Sequence, residues 1–186
     1  MASLRDILYK VSLVSASGDM ERDVKAITFD SRKVDKGGMF VAISGTQVDG
    51  HQFIDNAIRA GAQIIVCEQL PDEIQKGVTY VAVKNSAEAL GKIAANFYDN
   101  PSQKLKLVGI TGTNGKTTVA TLLFQLFRKM GFSAGLLSTV QNQVDDKIIE
   151  ATHTTPDAIQ LNELLSKMVE NGCEYCFMEV SSHALE

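Results

Sequence analysis

The stretch from Gly109 to Thr118 combines glycines, a lysine and threonines at a spacing suited to holding phosphate groups. Glycines allow a tight turn that brings backbone N–H groups against phosphate oxygens, and a helix beginning after the turn adds partial positive charge. Lys116 would reach the β and γ phosphates of a nucleotide, and the hydroxyl of Thr117 would ligate Mg²⁺. The stretch therefore predicts a nucleotide-phosphate site comprising Gly112, Thr113, Asn114, Gly115, Lys116, Thr117 and Thr118.

The loop departs from the usual G-x-x-x-x-G-K-[ST] pattern, because Ile110 stands where the first glycine belongs. A glycine-rich turn that binds nothing is the alternative, but it leaves Lys116 and the threonines unexplained. Phosphate loops of this kind need an acid at the end of a neighbouring strand to hold the metal. Glu179 ends an apolar run, which predicts a metal ligand at the carboxyl edge of a sheet. A solvent-facing glutamate at a strand end is the other interpretation.

The elements that must position these residues follow from apolar periodicity and from glycine and proline breaks. Short strands alternate with amphipathic helices on both sides of a seam at 99–103, which predicts an α/β fold with parallel sheet and right-handed crossovers. The predicted strands are 24–29, 39–43, 63–67, 78–83, 105–110, 134–138 and 175–180. The predicted helices are 51–60, 87–98, 117–130 and one capped by Thr155, with Pro156 in its first position, that stops at Gly172. The core face predicted for 117–130 carries Val119, Leu122, Leu123, Leu126, Phe127 and Met130.

Composition narrows the class of protein. The 186 residues are 45% hydrophobic and 22% charged, as is usual for globular domains. A net charge of −4 and the lack of any basic run argue against a nucleic-acid partner. No apolar stretch approaches the ~20 residues of a membrane span and the N-terminus does not resemble a signal peptide, so we expect a cytoplasmic protein.

Cys173 and Cys176 could form a redox pair or half a zinc site, but their apolar surroundings favour core cysteines.

Residues 112–118 resemble the phosphate loop of the Mur ligases, ATP-dependent enzymes that add amino acids to UDP-N-acetylmuramoyl peptides, and the likeness accounts for Ile110. Folylpolyglutamate synthase and cyanophycin synthetase share much of this loop, so it indicates the superfamily only. Residues 29–32, 37–42 and 49–54 resemble the UDP-binding domain of the branches that add the third residue or the terminal dipeptide. Residues 153–157 and 178–185 resemble the third-residue branch.

The resemblance implies two domains, a UDP-sugar-binding α/β domain at 1–100 and, at 101–186, the first part of a P-loop ATP-binding domain with a parallel sheet. It implies ATP and Mg²⁺ as cofactors, with Lys116 in catalysis and Thr117 and Glu179 as metal ligands. The implied substrates are UDP-N-acetylmuramoyl-L-alanyl-D-glutamate and an amino acid, bound by a protein that is a monomer at full length. The implied substrate contacts are Ser31, Thr46, Gln47, Val48, His153, Thr154, Thr155 and Ser181.

Two of these contacts also have a physical argument, because Thr154 and Thr155 are predicted at a helix N-terminus, where free N–H groups favour an anion. His153 stands where relatives often have asparagine, so its assignment is weaker than the others.

In the reaction that the resemblance implies, ATP phosphorylates the D-glutamyl carboxylate and the incoming amine then displaces phosphate. The segments that select the amino acid in the family are absent from this sequence, so we expect an N-terminal fragment that is not a competent ligase alone. Both meso-diaminopimelate and L-lysine remain open as the added residue, with the former preferred as the commoner wall chemistry. A folate-polyglutamylating ligase and a UDP-sugar-binding module without ligase activity are the alternatives. The Asp30-Ser31-Arg32 segment is foreign to the folate branch.

Overall fold

The computed structural model describes residues 2–45, 48–149 and 156–180. By its internal contacts the chain divides into two compact units, Met1–Phe97 and Tyr98–Glu186. Each unit contains one five-stranded sheet of its own with helices packed on it. No helix among the described residues is long and apolar enough to cross a bilayer.

The first unit is built on a sheet with the strand order β2-β7-β6-β5-β4, and a separate antiparallel pair joins β1 to β3. The four strands from β4 to β7 are parallel, whereas β2 is antiparallel to β7. The elements are β1 Ala2–Ser3, α1 Leu4–Ile7, β2 Leu13–Ser17, β3 Asp23–Val24, β4 Ile27–Thr28, β5 Met39–Val41, α2 Ile54–Ala60, β6 Ile64–Cys67, β7 Thr79–Val83 and α3 Ser86–Phe97. Short 3₁₀ turns at Ser31–Lys33 and Gly50–Phe53 complete it.

One apolar cluster of the first unit lies between the sheet and α2. Phe40, Ile65 and Tyr80 are inaccessible to solvent on successive strands, and Ile54 and Ala57 of α2 pack on them. Strands buried on both faces read as continuous apolar runs, which is why β6 and β7 were recognisable from the sequence.

The helix boundaries of this unit follow the predicted signals. Asn85 caps α3, its Oδ1 accepting from the Glu88 N–H at 2.9 Å. Gly61 ends α2 in the left-handed conformation, with φ of 115°. The predicted helix 51–60 is α-helical only from Ile54 onward, because its first turn is the 3₁₀ segment.

The second unit has the strand order β11-β10-β9-β12-β8. Strands β8, β12 and β9 are parallel, and β10 and β11 form an antiparallel hairpin on β9. The elements are β8 Lys106–Ile110, α4 Lys116–Lys129, β9 Ala134–Leu137, β10 Asn142–Val144, β11 Lys147–Ile149, α5 Ala158–Glu170 and β12 Tyr175–Glu179, after a 3₁₀ turn at Pro101–Gln103.

The expected parallel pairing is present from β4 to β7 and among β8, β12 and β9, but both sheets are mixed. Strand β2 adds to the first sheet antiparallel, and a two-residue turn at Asp145-Asp146 folds β11 back on β10 in the second. Asp145 has φ of 50°, a left-handed conformation that aspartate tolerates in tight hairpin turns.

The core face of α4 also differs from the prediction. Ala120 and Phe124 are buried against β9 and β12, with Leu123 and Phe127 partly buried beside them. The other four predicted core residues are exposed within the described structure: Val119, Leu122, Leu126 and Met130. Apolar residues run around most of this helix, so periodicity alone could not tell which side meets the sheet.

Cys173 and Cys176 belong to the apolar core between α5 and the second sheet, as predicted. Burial raises the pKa of the Cys173 thiol to about 11 and that of Cys176 to about 12, so neither is a ready thiolate. In the part of the chain that the structure describes, no three metal-binding side chains of the His, Cys, Asp or Glu type come together.

Candidate functional site

The loop between β8 and α4 is exposed and contains two glycines in left-handed conformations. Gly112 has φ of 141° and Gly115, the N-cap residue of α4, has φ of 79°. A side chain at Gly115 would find open space, so the demand for glycine there comes from the backbone conformation.

The N-terminus of α4 offers backbone donors to an anion. Gly115 has no side chain with which to accept their hydrogen bonds, and the first helical bond runs from Val119 N–H to the Gly115 carbonyl at 2.9 Å. The three preceding N–H groups, of residues 116–118, therefore have no partner within the helix. Their position suits phosphate oxygens, which the helix dipole also favours.

Lys116 places its ammonium over the same loop, with Nζ donating to the Gly112 carbonyl at 2.6 Å. The side chain is half-buried, which keeps the charge beside the N-terminal donors of α4. Backbone N–H groups and the Lys116 ammonium thus converge on one short loop, an arrangement suited to a chain of phosphates.

Glu179 is the last residue of β12 and lies beside Ile110, the last residue of β8. Its carboxylate oxygens accept from the N–H and hydroxyl of Thr139, at 3.3 and 3.4 Å. One carboxylate here and one hydroxyl at Thr117, supplemented by phosphate and water, match the ligands that Mg²⁺ takes in nucleotide sites. The residues present therefore fit Mg²⁺.

In the first unit, polar residues follow all four parallel strands at the same edge of the sheet. Ser31 follows β4, Ser44 follows β5, Glu68 follows β6 and Ser86 follows β7. Ligands of open α/β sheets bind outside the carboxyl ends of the strands. This edge is therefore the candidate ligand site of the first unit.

The segment around Ser31 is held by an ion pair. Asp30 accepts three hydrogen bonds from Arg32, from its N–H, Nε and Nη2, at 3.0, 2.9 and 2.8 Å. The Arg32 guanidinium lowers the pKa of Asp30 to about 2. The result is a fixed 3₁₀ turn at the end of β4 that begins with Ser31.

The turn after β5 includes the predicted contact Val48, whose side chain is 56% exposed. Ser44 and Asp49 form an isolated antiparallel bridge, and Gly45 N–H donates to the Val48 carbonyl at 3.2 Å. A Cβ at Gly50 would lie 2.7 Å from backbone atoms of Ile43, so glycine is needed where the turn closes.

A hydrogen-bonded network beneath this turn was not predicted from the sequence. It joins Asp49 and His51 to the backbone of Glu68, and the Glu68 carboxylate to Ser86. Its members come from distant segments of the chain, so no local motif marks them as a group.

The predicted contacts Thr46, Gln47, His153, Thr154, Thr155 and Ser181 lie outside the described residues. The prediction that Thr155 caps the following helix was wrong. Asp157 is the N-cap residue of α5, its Oδ1 accepting from the N–H groups of Ile159 and Gln160, both at 2.9 Å. Because that carboxylate already occupies the helix N-terminus, the argument for an anion site there is lost.

Comparison with known proteins bears on both units. Residues 110–186 match the Mur ligase middle domain, and residues 23–98 match the domain described as "Mur ligase family, catalytic domain". The chain belongs to the Mur ligase family. This Mur ligase chain is 62% identical over 182 residues to the UDP-N-acetylmuramoyl-L-alanyl-D-glutamate–2,6-diaminopimelate ligase of Cytophaga hutchinsonii. It is 51% identical, also over 182 residues, to the ligase of the same name from Bacteroides fragilis.

These matches take in 97% and 98% of this Mur ligase chain but only 37% and 38% of the two relatives, so the chain spans well under half their length. Among solved structures, a UDP-N-acetylmuramoyl-L-alanyl-D-glutamate–2,6-diaminopimelate ligase superposes with a TM-score of 0.78 at 23% identity, over 99% of this chain and 37% of that one. The MurF ligase of Thermotoga maritima, solved in complex with ADP, has a TM-score of 0.58 at 25% identity, over 86% and 32% of the respective chains. The fold is that of the Mur ligases.

Proposed function

We propose that this chain supplies the sugar-nucleotide and ATP-phosphate sites of a ligase that adds meso-diaminopimelate to UDP-N-acetylmuramoyl-L-alanyl-D-glutamate. The observation that carries the proposal is the loop before α4, where the N–H groups of residues 116–118 and Lys116 converge, after a strand whose last residue, Ile110, lies opposite Glu179. The relatives named above are diaminopimelate ligases, which favours diaminopimelate over lysine. Because the chain covers 37% to 38% of those relatives, the whole reaction is assigned to a protein of their length.

In the proposed first step, an oxygen of the D-glutamyl carboxylate attacks the γ-phosphorus of ATP. The bond from that phosphorus to the β–γ bridging oxygen breaks, giving an acyl phosphate and ADP. The N–H groups of residues 116–118 and the Lys116 ammonium stabilise the charge on the transferred phosphoryl group. Catalysis of this kind depends on positioning and electrostatics.

In the second step, the amine nitrogen of diaminopimelate attacks the acyl carbon, phosphate leaves and the nitrogen loses a proton, forming the amide. Mg²⁺, when bound by Thr117 and Glu179, would neutralise charge on the β and γ phosphates. Gly112 to Thr118 would hold the ATP phosphates through the backbone. Since both ATP and a UDP-sugar are consumed, we place the reaction in the cytoplasm.

The sugar-nucleotide is assigned to the carboxyl edge of the first sheet. Among the described residues, the proposed contacts are Ser31, in the 3₁₀ turn after β4, and Val48, in the turn after β5. Thr46, Gln47, His153, Thr154, Thr155 and Ser181 are the further proposed contacts, on the family resemblance alone.

The test is calorimetric titration of the 186-residue chain with Mg·ATP and, separately, with UDP-N-acetylmuramoyl-L-alanyl-D-glutamate. We expect K116A to weaken ATP binding at least tenfold, since a charge-assisted phosphate contact is lost, and to leave sugar-nucleotide binding unchanged. The control is K129A, at the other end of the same helix, which should bind both ligands like the unsubstituted chain. Equal ATP affinity in K116A and K129A would refute the phosphate site, and an unsubstituted chain that binds neither ligand would refute the whole proposal.

A further inference from the structure

We propose that Glu68 is a positioning residue for the sugar-nucleotide site, because its side chain and its backbone connect the two ends of the turn after β5 to the body of the sheet. This inference rests on the proposed function of that edge. The turn contributes the described residues Ser44–Gly45 at its start and Val48–Asp49 at its end.

The start of the turn is held through the Glu68 side chain. The Oε1 atom of Glu68 accepts from the Ser86 N–H at 2.8 Å and from the Ser86 hydroxyl at 2.7 Å. The Ser86 oxygen in turn accepts from the N–H of Ser44 at 3.3 Å. Ser86 is inaccessible to solvent, so these hydrogen bonds are shielded from competing water.

The end of the turn is held through the Glu68 backbone. The N–H of Glu68 donates to His51 Nε2 at 2.8 Å, and the N–H of Gln69 approaches the same atom at 3.3 Å. An Nε2 atom that accepts must carry no proton, so the neutral ring has its proton on Nδ1. That proton points to Asp49 Oδ1, 2.6 Å away, and the His51 N–H donates to the same oxygen at 3.0 Å.

The two sets of hydrogen bonds, one through the Glu68 side chain and one through the Glu68 backbone, have different chemistry. They can therefore be disrupted separately. The hydrogen bonds at the start of the turn need an acceptor at the Glu68 side chain. Ser86 keeps the pKa of that carboxyl below its ordinary value by donating to the charged form. The hydrogen bonds at the end of the turn need only the backbone of Glu68 and a histidine in one tautomer. Substitution at Glu68 therefore affects the start of the turn, and substitution at His51 affects its end.

The experiment compares E68A and E68Q with E73A, which removes a glutamate side chain from an exposed segment of the same unit. We expect E68A to weaken binding of UDP-N-acetylmuramoyl-L-alanyl-D-glutamate about tenfold, the usual scale for losing buried hydrogen bonds. E68Q retains an acceptor oxygen and should stay within about threefold of the unsubstituted chain. ATP binding should be the same in all of them.

Amide hydrogen exchange gives a readout that does not depend on the ligand. The Ser44 N–H should exchange faster in E68A than in E68Q or E73A, while the Glu68 N–H should exchange faster in H51N than in H51Q. Asparagine can imitate only the Nδ1 donor of histidine, whereas glutamine can place an acceptor at the Nε2 position.

The outcomes separate this inference from the proposed function. An unsubstituted chain that fails to bind the sugar-nucleotide refutes the proposed sugar-nucleotide site, and the inference with it. If that chain binds normally, then E68A with undiminished affinity, E68Q as weak as E68A, or equal loss of ATP and sugar-nucleotide binding in E68A would each overturn the positioning role alone.

Discussion

The carboxylate of Asp30 and the network around Glu68 show two ways in which single residues fix the edge of the first sheet. Asp30 is paired with a neighbour two residues away, so sequence inspection could find the pair once Asp30-Ser31-Arg32 was noticed. The phosphate loop was recognisable for the same reason, because its residues are contiguous. His51, Glu68 and Ser86 are brought together only by the parallel register of β5, β6 and β7, which no local pattern reveals.

Asp30 yields a prediction about pH. Because its pKa is lowered from 3.8 to about 2, the folded state favours the carboxylate, and the stabilisation is present above about pH 4 and lost as the pH falls through 2. D30N should lower the free energy of unfolding at neutral pH by a small amount, since Arg32 is exposed. The difference between D30N and the unsubstituted chain should shrink between pH 4 and pH 2.

Urea unfolding at pH 7, 5, 3.5 and 2.5 measures this difference. D72N, which removes an acid from an open groove of the same unit, controls for the change in net charge. A D30N difference that stays constant across the range would contradict a role for the ionised carboxylate.

At the scale of elements, the signals that succeeded were local and those that failed depended on tertiary contacts. Asn85, Gly61 and Gly131 mark helix ends that the structure reproduces to within a residue or two. The β10–β11 hairpin was missed because its strands are three residues each, too short for a visible alternation. The core side of α4 was misassigned because the choice between two apolar faces is made by the sheet.

Helix α4 provides a matched pair of substitutions. Phe124 is 5% exposed and packs against the sheet, whereas Leu122 is 59% exposed. F124A should lower the free energy of unfolding by about 3–5 kcal/mol through lost burial and a cavity. L122A should change it by about 0.5 kcal/mol or less, because an exposed side chain has little burial to lose.

Denaturant titration of both variants measures these changes in the free energy of unfolding. Equal destabilisation by L122A and F124A would mean that the outer face of α4 is covered in solution, contrary to the structure.

On the scale of the whole molecule, the chain consists of two units, Met1–Phe97 and Tyr98–Glu186, each with its own sheet and its own apolar clusters. The sequence predicted the alternation of strands and helices behind this organisation, but not the antiparallel additions to either sheet. Because the two units have separate cores, we expect that a destabilising substitution in one unit leaves local unfolding of the other unit unchanged.

Amide exchange in F124A tests that expectation. Amides of β9 and β12 should exchange faster than in the unsubstituted chain, because the cavity lies against those strands, while amides of β5, β6 and β7 should be unchanged. L122A serves again as the control. Equal acceleration in both sheets would show that the two units open as one cooperative body.

The pairing of β8 with β12 has a consequence for the geometry of the proposed site. Strand β8 leads into the loop before α4, and β12 ends at Glu179, which lies opposite Ile110 in the parallel register. The spacing between the start of the loop and the Glu179 backbone is therefore fixed by main-chain hydrogen bonds. Substitution of a side chain on either strand can change what the site binds without changing that spacing, whereas a shift of register by one residue would displace Glu179 from the loop.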